Sequence, residues 1–342
     1  MRVCSKCGKH AGDQGNFCSF CGGPLALVET DHLREMSEGE TTPKDDVRSA
    51  IESRKATDVR LSSAWAAISL LILVPTTGYI CVLIIQQFMF VLGFNAHIWN
   101  LSVISALSVP IGTVLFGCLF GLLTYKMLSR LNRHIDREER LRAALMSYVR
   151  SEARKSGGEQ GIVDDLLKLS AFDGQATTYE KKLDPRRWGW GVFLVYVSGP
   201  LALGVYFLVV IATIGGYDSD HDIYYLAVIS MISSIILILV TALSLVTTLI
   251  LTSHLMRTIA THEQRWYGFA GSFQAAMSLA SKDIEMPVPE RPLKERSTIL
   301  YVGLTIVTLG IFAIYWLYVL IKDPNAHFEH QRRTEDAILA AL

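Results

Sequence analysis

The stretch LTYKMLSRLNRHIDREE (residues 123–139) ends a long uncharged run and opens a charged one without interrupting a helical pattern. Upstream of it, residues 64–125 contain no Asp, Glu, Lys or Arg, and neither do 189–217, 223–256 or 298–321. A soluble core has too little interior to hide so long an uncharged run. About 20 apolar residues at 1.5 Å each, in contrast, cross roughly 30 Å of hydrocarbon. Four spans are expected, at about 64–92, 101–126, 190–214 and 224–252. A fifth run, 299–321, is long enough to cross once, or it breaks near Thr308–Gly310 into a re-entrant hairpin of two half-helices. With mean hydropathy +0.33 and 19% charged residues, the expected fold is an all-α polytopic membrane protein preceded by a small β zinc ribbon.

The cations set the orientation. The connection 93–100 is uncharged, and 215–223 carries Asp218, Asp220 and Asp222 with no Lys or Arg. All 32 basic residues lie elsewhere. Basic residues stay on the cytoplasmic side, so the N-terminus and both long loops are expected in the cytoplasm of a plasma-membrane protein. The first uncharged run starts near Ala64, too late and too long for a secretory signal.

The opening stretch has counterparts. Arg60 precedes the first span and Arg187 the third; His134 follows the second and His262 the fourth, 128 positions on. Pro75 and Pro200 interrupt the first span of each pair. A third, shortened copy is WLYVLIKDPNAHFEHQR (316–332), which places Tyr318 on Tyr125, Asn325 on Asn132 and His327 on His134. The domain reading is therefore a ribbon (1–27), a flexible linker (28–59) with a short helix near 44–55, and a first unit (60–156). A connector (157–185), a second unit (186–282) and a shortened third unit (283–342) follow. Such parallel duplication occurs in transporter-like proteins. The segment IVTLGIFAIYWLYVLIKDPNAHFEHQ (306–331), with Thr308-x-Gly-Ile, Tyr315-Trp-x-Tyr and Asn325-x-His, resembles a family of small prokaryotic membrane domains of unassigned activity; the likeness covers about 295–335.

Near the N-terminus, Cys4-x-x-Cys7-Gly and Cys18-x-x-Cys21-Gly form two knuckles separated by enough chain for a hairpin. Two intervening residues let both thiolates reach one ion, and the glycine turns backbone N–H groups toward the sulfurs. This spacing is a tetrahedral Cys₄ zinc site, and it resembles the zinc-ribbon family over residues 4–25. A pair of disulfides is the competing reading, disfavoured in a reducing cytoplasm. Four thiolates leave no open position, so Zn2+ held by Cys4, Cys7, Cys18 and Cys21 is structural. Arg2, Lys6, Lys9 and His10 are too few to dominate phosphate binding, which argues against nucleic acid.

Beyond the second span, Leu128, Leu131, Ile135, Leu141, Leu145 and Tyr148 form an apolar stripe. Leu255, Ile259, Trp266, Phe269, Phe273 and Met277 do so beyond the fourth. Either the two helices cover each other, or they meet another subunit. A shared metal or proton role for His134, His262 and His327 is weighed against helix-terminal polar residues, and the latter reading is preferred. His330 and Glu329 beside His327, and the acidic DSDHD (218–222), supply no convergent ligand set. His262-Glu263 starts a His-Glu-x-x-His frame that Trp266 ends. No nucleophile elbow, phosphate loop or dinucleotide glycine pattern is present, and no ionisable residue interrupts a span. The expected function is a non-catalytic membrane accessory or scaffold protein acting through protein subunits, a homo-oligomer or both. A channel or transporter for a neutral or lipid-like solute, and a membrane-state sensor, are the alternatives. No small-molecule substrate is indicated.

Overall fold

The computed structural model describes residues 2–4, 10–11, 25–27, 42–65, 67–68, 103–156, 159–214, 220–287, 292–293, 295–308 and 311–342. Three short strands, Arg2–Cys4 (β1), His10–Ala11 (β2) and Leu25–Leu27 (β3), pair antiparallel in the order β2-β1-β3. Arg2 lies opposite both Ala11 and Leu27. Cys4 ends β1; Cys7, Cys18 and Cys21 lie outside the described residues, as do most of the first expected span and the connection after it.

Everything else described is helical or connecting coil. Thr42 opens α1 (Pro43–Glu52): its hydroxyl accepts from the Asp45 N–H, Pro43 sits in the first turn, and Asp45 and Asp46 face the positive helix end. Val47 and Ile51, one turn apart, are fully buried. The second half of the expected flexible linker is thus folded onto the protein, because a single i,i+4 apolar pair gives it a face to dock. A short turn, α2 (Arg54–Thr57), follows.

The long helices are α3 (Val103–Ser156), α4 (Glu159–Tyr179), α5 (Pro185–Ile214) and α6 (Asp220–Leu279). At 54 and 60 residues, α3 and α6 run about 80 and 90 Å, so the apolar run and the charged stretch after it form one continuous helix in each. Among the described residues two helical segments are long and apolar enough to cross a membrane, Val114–Ser156 and Ile238–Leu279. The four-span expectation is finer than this. The connector read at 157–185 holds a helix of 21 residues, α4.

The fifth apolar run is broken. α7 (Thr298–Val307) stops at Thr308, and α8 (Ile311–Ala341) begins directly afterwards. Ser297 caps α7 by accepting from the Leu300 N–H, and the Thr308 hydroxyl accepts from the Phe312 N–H at the start of α8. Tyr301 of α7 lies edge-on to Phe312 and Trp316 of α8, centroids 5.1 and 5.6 Å away, so the chain doubles back. Arg296 reaches past the turn to Asp323 at 2.8 Å. Ten residues span about 15 Å, half of a hydrocarbon core. The run 299–321 is thus two packed helical pieces broken at Thr308 and not one continuous helix.

Two apolar cores result. One joins Phe116, Phe120, Leu123, Leu128 and Leu131 to Leu251, Leu255, Ile259, Trp316 and Leu320. The other joins Leu141, Leu145 and Tyr148 to Val47, Ile51, Ile162, Leu169, Trp266, Phe269 and Phe273. Both stripes legible in the sequence are therefore covered from within the chain. Between the two cores lies a polar layer.

α3 and α5 approach closely through glycine. A Cβ on Gly121 would sit 2.8 Å from the Gly189 carbonyl oxygen, and one on Gly189 3.1 Å from that of Gly121. Backbone cannot step aside as a side-chain tip can. Gly121→Ala is expected to lower stability by about 1–3 kcal/mol through overpacking, whereas Gly271→Ala, with nothing within 4 Å, is expected to be neutral or slightly stabilising. Thermal unfolding in detergent compares the two; equal effects would contradict the close approach.

Candidate functional site

The polar layer is assembled from the more charged halves of α3, α6 and α8, with support from the coils after α2 and before α5. His134, His262 and His327 are fully buried. Their ring centroids form a nearly equilateral triangle, 5.3, 5.1 and 4.9 Å on a side. The preferred sequence reading made them helix-terminal and independent; the structure places them mid-helix and together. It does so because α7 and α8 fold back, bringing His327 to the side already occupied by His134 and His262.

Each ring is held from outside by a carboxylate. His134 Nδ1 is 2.9 Å from Asp58 Oδ1, His262 Nδ1 2.9 Å from Glu180 Oε1, and His327 Nδ1 3.2 Å from Glu263 Oε2. The residue three positions after each histidine addresses the same carboxylate. Arg137 Nη2 donates to Asp58 Oδ2 at 2.9 Å, and Arg265 Nη2 to Glu180 Oε1 at 2.6 Å. His330 Nδ1 lies 3.6 Å from Glu263 Oε1, which also accepts from the Leu293 N–H at 2.9 Å. Positions i and i+3 share one helix face, so one carboxylate both orients the ring and meets the side chain one turn further on.

Glu138 completes the centre, one turn after His134. Its Oε2 lies 2.7 Å from His262 Nε2 and 3.9 Å from His134 Nε2. The 2.7 Å approach is a charge contact out of line for a hydrogen bond, and neither atom has a hydrogen-bond partner among the described residues. Arg142 pairs with the other oxygen of Glu138 and donates to Asp173 at 2.9 Å. His134, Glu138, His262 and His327 offer four donor atoms that all lie within 4.8 Å of one another. These four residues could hold a metal ion.

The field in the layer is uneven. Burial pushes His134 down to about 4 against the pull of Asp58. Burial also opposes charge on His262, but Glu138 and Glu180 outweigh it and raise it to about 9. For Glu138, burial favours the neutral acid, yet His262 and Arg142 hold the carboxyl well below the usual range. On the flank away from the rings, Arg137 Nη1 donates to Glu335 Oε1 at 2.6 Å, while Glu335 Oε2 has no hydrogen-bond partner among the described residues. Burial pushes Glu335 up to about 7 despite Arg137.

Of the residues singled out from sequence, the four cysteines are not placed together by the described residues, and His330 faces Glu263 without joining the triangle. Asp58, Glu138, Glu180, Arg137 and Arg142 were missed, and Glu263 entered only as part of a broken His-Glu-x-x-His frame. The signal available for part of this set was the common i+3 position of Arg137, Arg265 and His330 after the aligned histidines.

Residues 296–341 match a family described as "Domain of unknown function (DUF4234)", the same segment that carried the C-terminal resemblance. No curated protein and no solved structure matches the chain.

Arg137 is fully buried between Asp58 and Glu335. Arg137→Met, which strands both carboxylates, is expected to cost about 3–5 kcal/mol. The folded-state value of Glu335 lies above its ordinary 4.5. Its protonated form thus contributes stability fully present below about 4.5 and lost as pH rises through about 7. Glu335→Gln should therefore gain on wild type between pH 5 and 8 in thermal unfolding; a pH-independent difference would contradict this.

Proposed function

We propose that the chain is a non-catalytic integral membrane protein, an accessory or scaffold subunit whose cytoplasmic side is a helical platform built around the polar layer. The observation that carries this reading is the partition of apolar surface along α6. Its inner half buries Ile259, Trp266, Phe269 and Phe273, while its outer half leaves Ile235, Ile238, Leu239, Leu243, Val246 and Ile250 bare. Leu194 and Leu201 of α5 and Ile299, Ile306 and Val307 of α7 extend the bare surface. A contiguous apolar face of that extent is costly in water and costs nothing in lipid.

On this reading four spans cross the plasma membrane, the α7–α8 hairpin enters without crossing, and the N-terminus and the histidine layer are cytoplasmic. The recurrence of one histidine-and-carboxylate device on α3, α6 and α8 supports two full units and a shortened third. Both helical stripes are occupied within the chain, so partner binding passes to the N-terminal module, where Cys4, Cys7, Cys18 and Cys21 would hold Zn2+ as a structural ion. The saturated donor set, and spans free of ionisable side chains, favour a scaffold over a pump.

Sided labelling tests the arrangement. In a chain with its six native cysteines replaced, Lys155→Cys and Arg333→Cys are expected to react with an impermeant maleimide only after permeabilisation, and Asp218→Cys in intact cells. Labelling of Arg333→Cys from outside would mean that 299–321 crosses. Purification in mild detergent is expected to yield a stoichiometric second polypeptide that is lost when Cys4, Cys7, Cys18 and Cys21 are changed to Ser. A monodisperse single chain would count against the scaffold role.

A further inference from the structure

We propose that His134, His262, His327 and Glu138 form a second metal site, distinct from the N-terminal cysteines, that binds a divalent first-row ion, Zn2+ foremost.

A neutral imidazole carries one N–H and one bare nitrogen. Donation from Nδ1 to Asp58 and to Glu263 leaves Nε2 bare on both His134 and His327, and these two nitrogens lie 3.1 Å apart. Two bare lone pairs at that distance repel, so a proton or a cation belongs between them. The same Nδ1 arrangement, with Glu180 as partner, aims His262 Nε2 inward, where it meets Glu138 Oε2 without a hydrogen bond.

Distances favour the cation. Zinc–nitrogen and zinc–oxygen bonds of about 2.0–2.1 Å in a tetrahedron place neighbouring donors about 3.3 Å apart. Three of the six separations, 3.1, 2.7 and 3.9 Å, bracket that edge, and all six lie within 4.8 Å. A layer built only to trap one proton needs two rings, and it needs no carboxylate behind each of three. Metal-bound histidines, by contrast, regularly donate their other ring nitrogen to a carboxylate, which fixes orientation and raises ligand basicity. Charge agrees: Asp58, Glu138 and Glu180 each meet a guanidinium, of Arg137, Arg142 and Arg265, while Glu263 meets only imidazoles, so four carboxylates face three guanidinium groups and the ion supplies the positive charge that a protonated His262 carries without it.

The donor set selects the ion class. Three imidazoles and one carboxylate are too nitrogen-rich for Mg2+ or Ca2+, which take oxygen, and lack the sulfur that Cu+ prefers. Four protein donors leave no open position for water, so the ion is a staple rather than a catalyst. It ties α3, α6 and α8 together on one side and fixes the return of the C-terminal hairpin.

The test uses the full chain in detergent with Cys4, Cys7, Cys18 and Cys21 changed to Ser, its fold checked by circular dichroism. After loading with Zn2+ and desalting, about one zinc per chain should remain. Co2+ in its place should give a tetrahedral visible spectrum without a thiolate-to-cobalt charge-transfer band. Glu180→Gln, which keeps all four donors but removes the support of His262, should weaken Zn2+ about 10- to 100-fold. Folded protein that retains no zinc would overturn the proposal. So would zinc retained undiminished in Glu180→Gln, which marks adventitious surface binding. Where Glu180→Gln does not fold, the cobalt spectrum of the chain with native histidines decides: an octahedral spectrum overturns the site.

Discussion

An ionised group taken out of water must find its counter-charge within a few ångströms, and this chain buries several of them in one layer. Asp58, Glu138, Glu180, Glu263 and Glu335 meet Arg137, Arg142 and Arg265 around three imidazoles with no solvent exposure. Removing one partner from such a set strands the other, at a cost of several kcal/mol. The charges of the layer are therefore coupled, and none can be removed alone. The residues it joins lie far apart in sequence: His134 and His327 are separated by 193 positions, and Arg137 and Glu335 by 198.

That constraint explains features that otherwise look unrelated. α7 and α8 cannot lie end to end, because His327 would then be carried to the opposite face. The break at Thr308 and the Tyr301–Trp316 packing are what return it. The coil after α2 must be ordered, because it delivers Asp58 to His134 and Arg137. The coil before α5 must be ordered too, because it delivers Glu180 to His262 and Arg265. Asn325 adds to the same join by donating to the Leu61 carbonyl at 2.8 Å, and its aligned counterpart Asn132 does the equivalent to Leu183 at 2.9 Å. Apolar packing above and below supplies bulk stability, while the layer sets which helices meet and in which register.

Much of this was visible in the residues. The apolar stripes on α3 and α6 marked faces that are indeed buried, and the alignment of His134, His262 and His327 identified one position in three segments. Convergence was not visible. Equal spacing says that positions correspond, but it does not say that the three histidines meet at one point rather than lie in a row. Asp58 and Glu180 sit in polar, turn-like stretches that read as linkers, and Glu138 has no acidic counterpart at Trp266 or Gln331, so no repeat pattern could have raised it. The cysteine knuckles are the opposite case, clear in spacing, with three of the four cysteines outside the described residues.

In the proposed site, three imidazoles and one carboxylate share a single cation. X-ray absorption at the zinc edge, on the chain lacking its four N-terminal cysteines, measures that set directly. The expected result is a four-coordinate shell of nitrogen and oxygen at about 2.0–2.1 Å with outer-shell scattering from three imidazole rings. A sulfur shell, or a shell with fewer than three imidazoles, would contradict it.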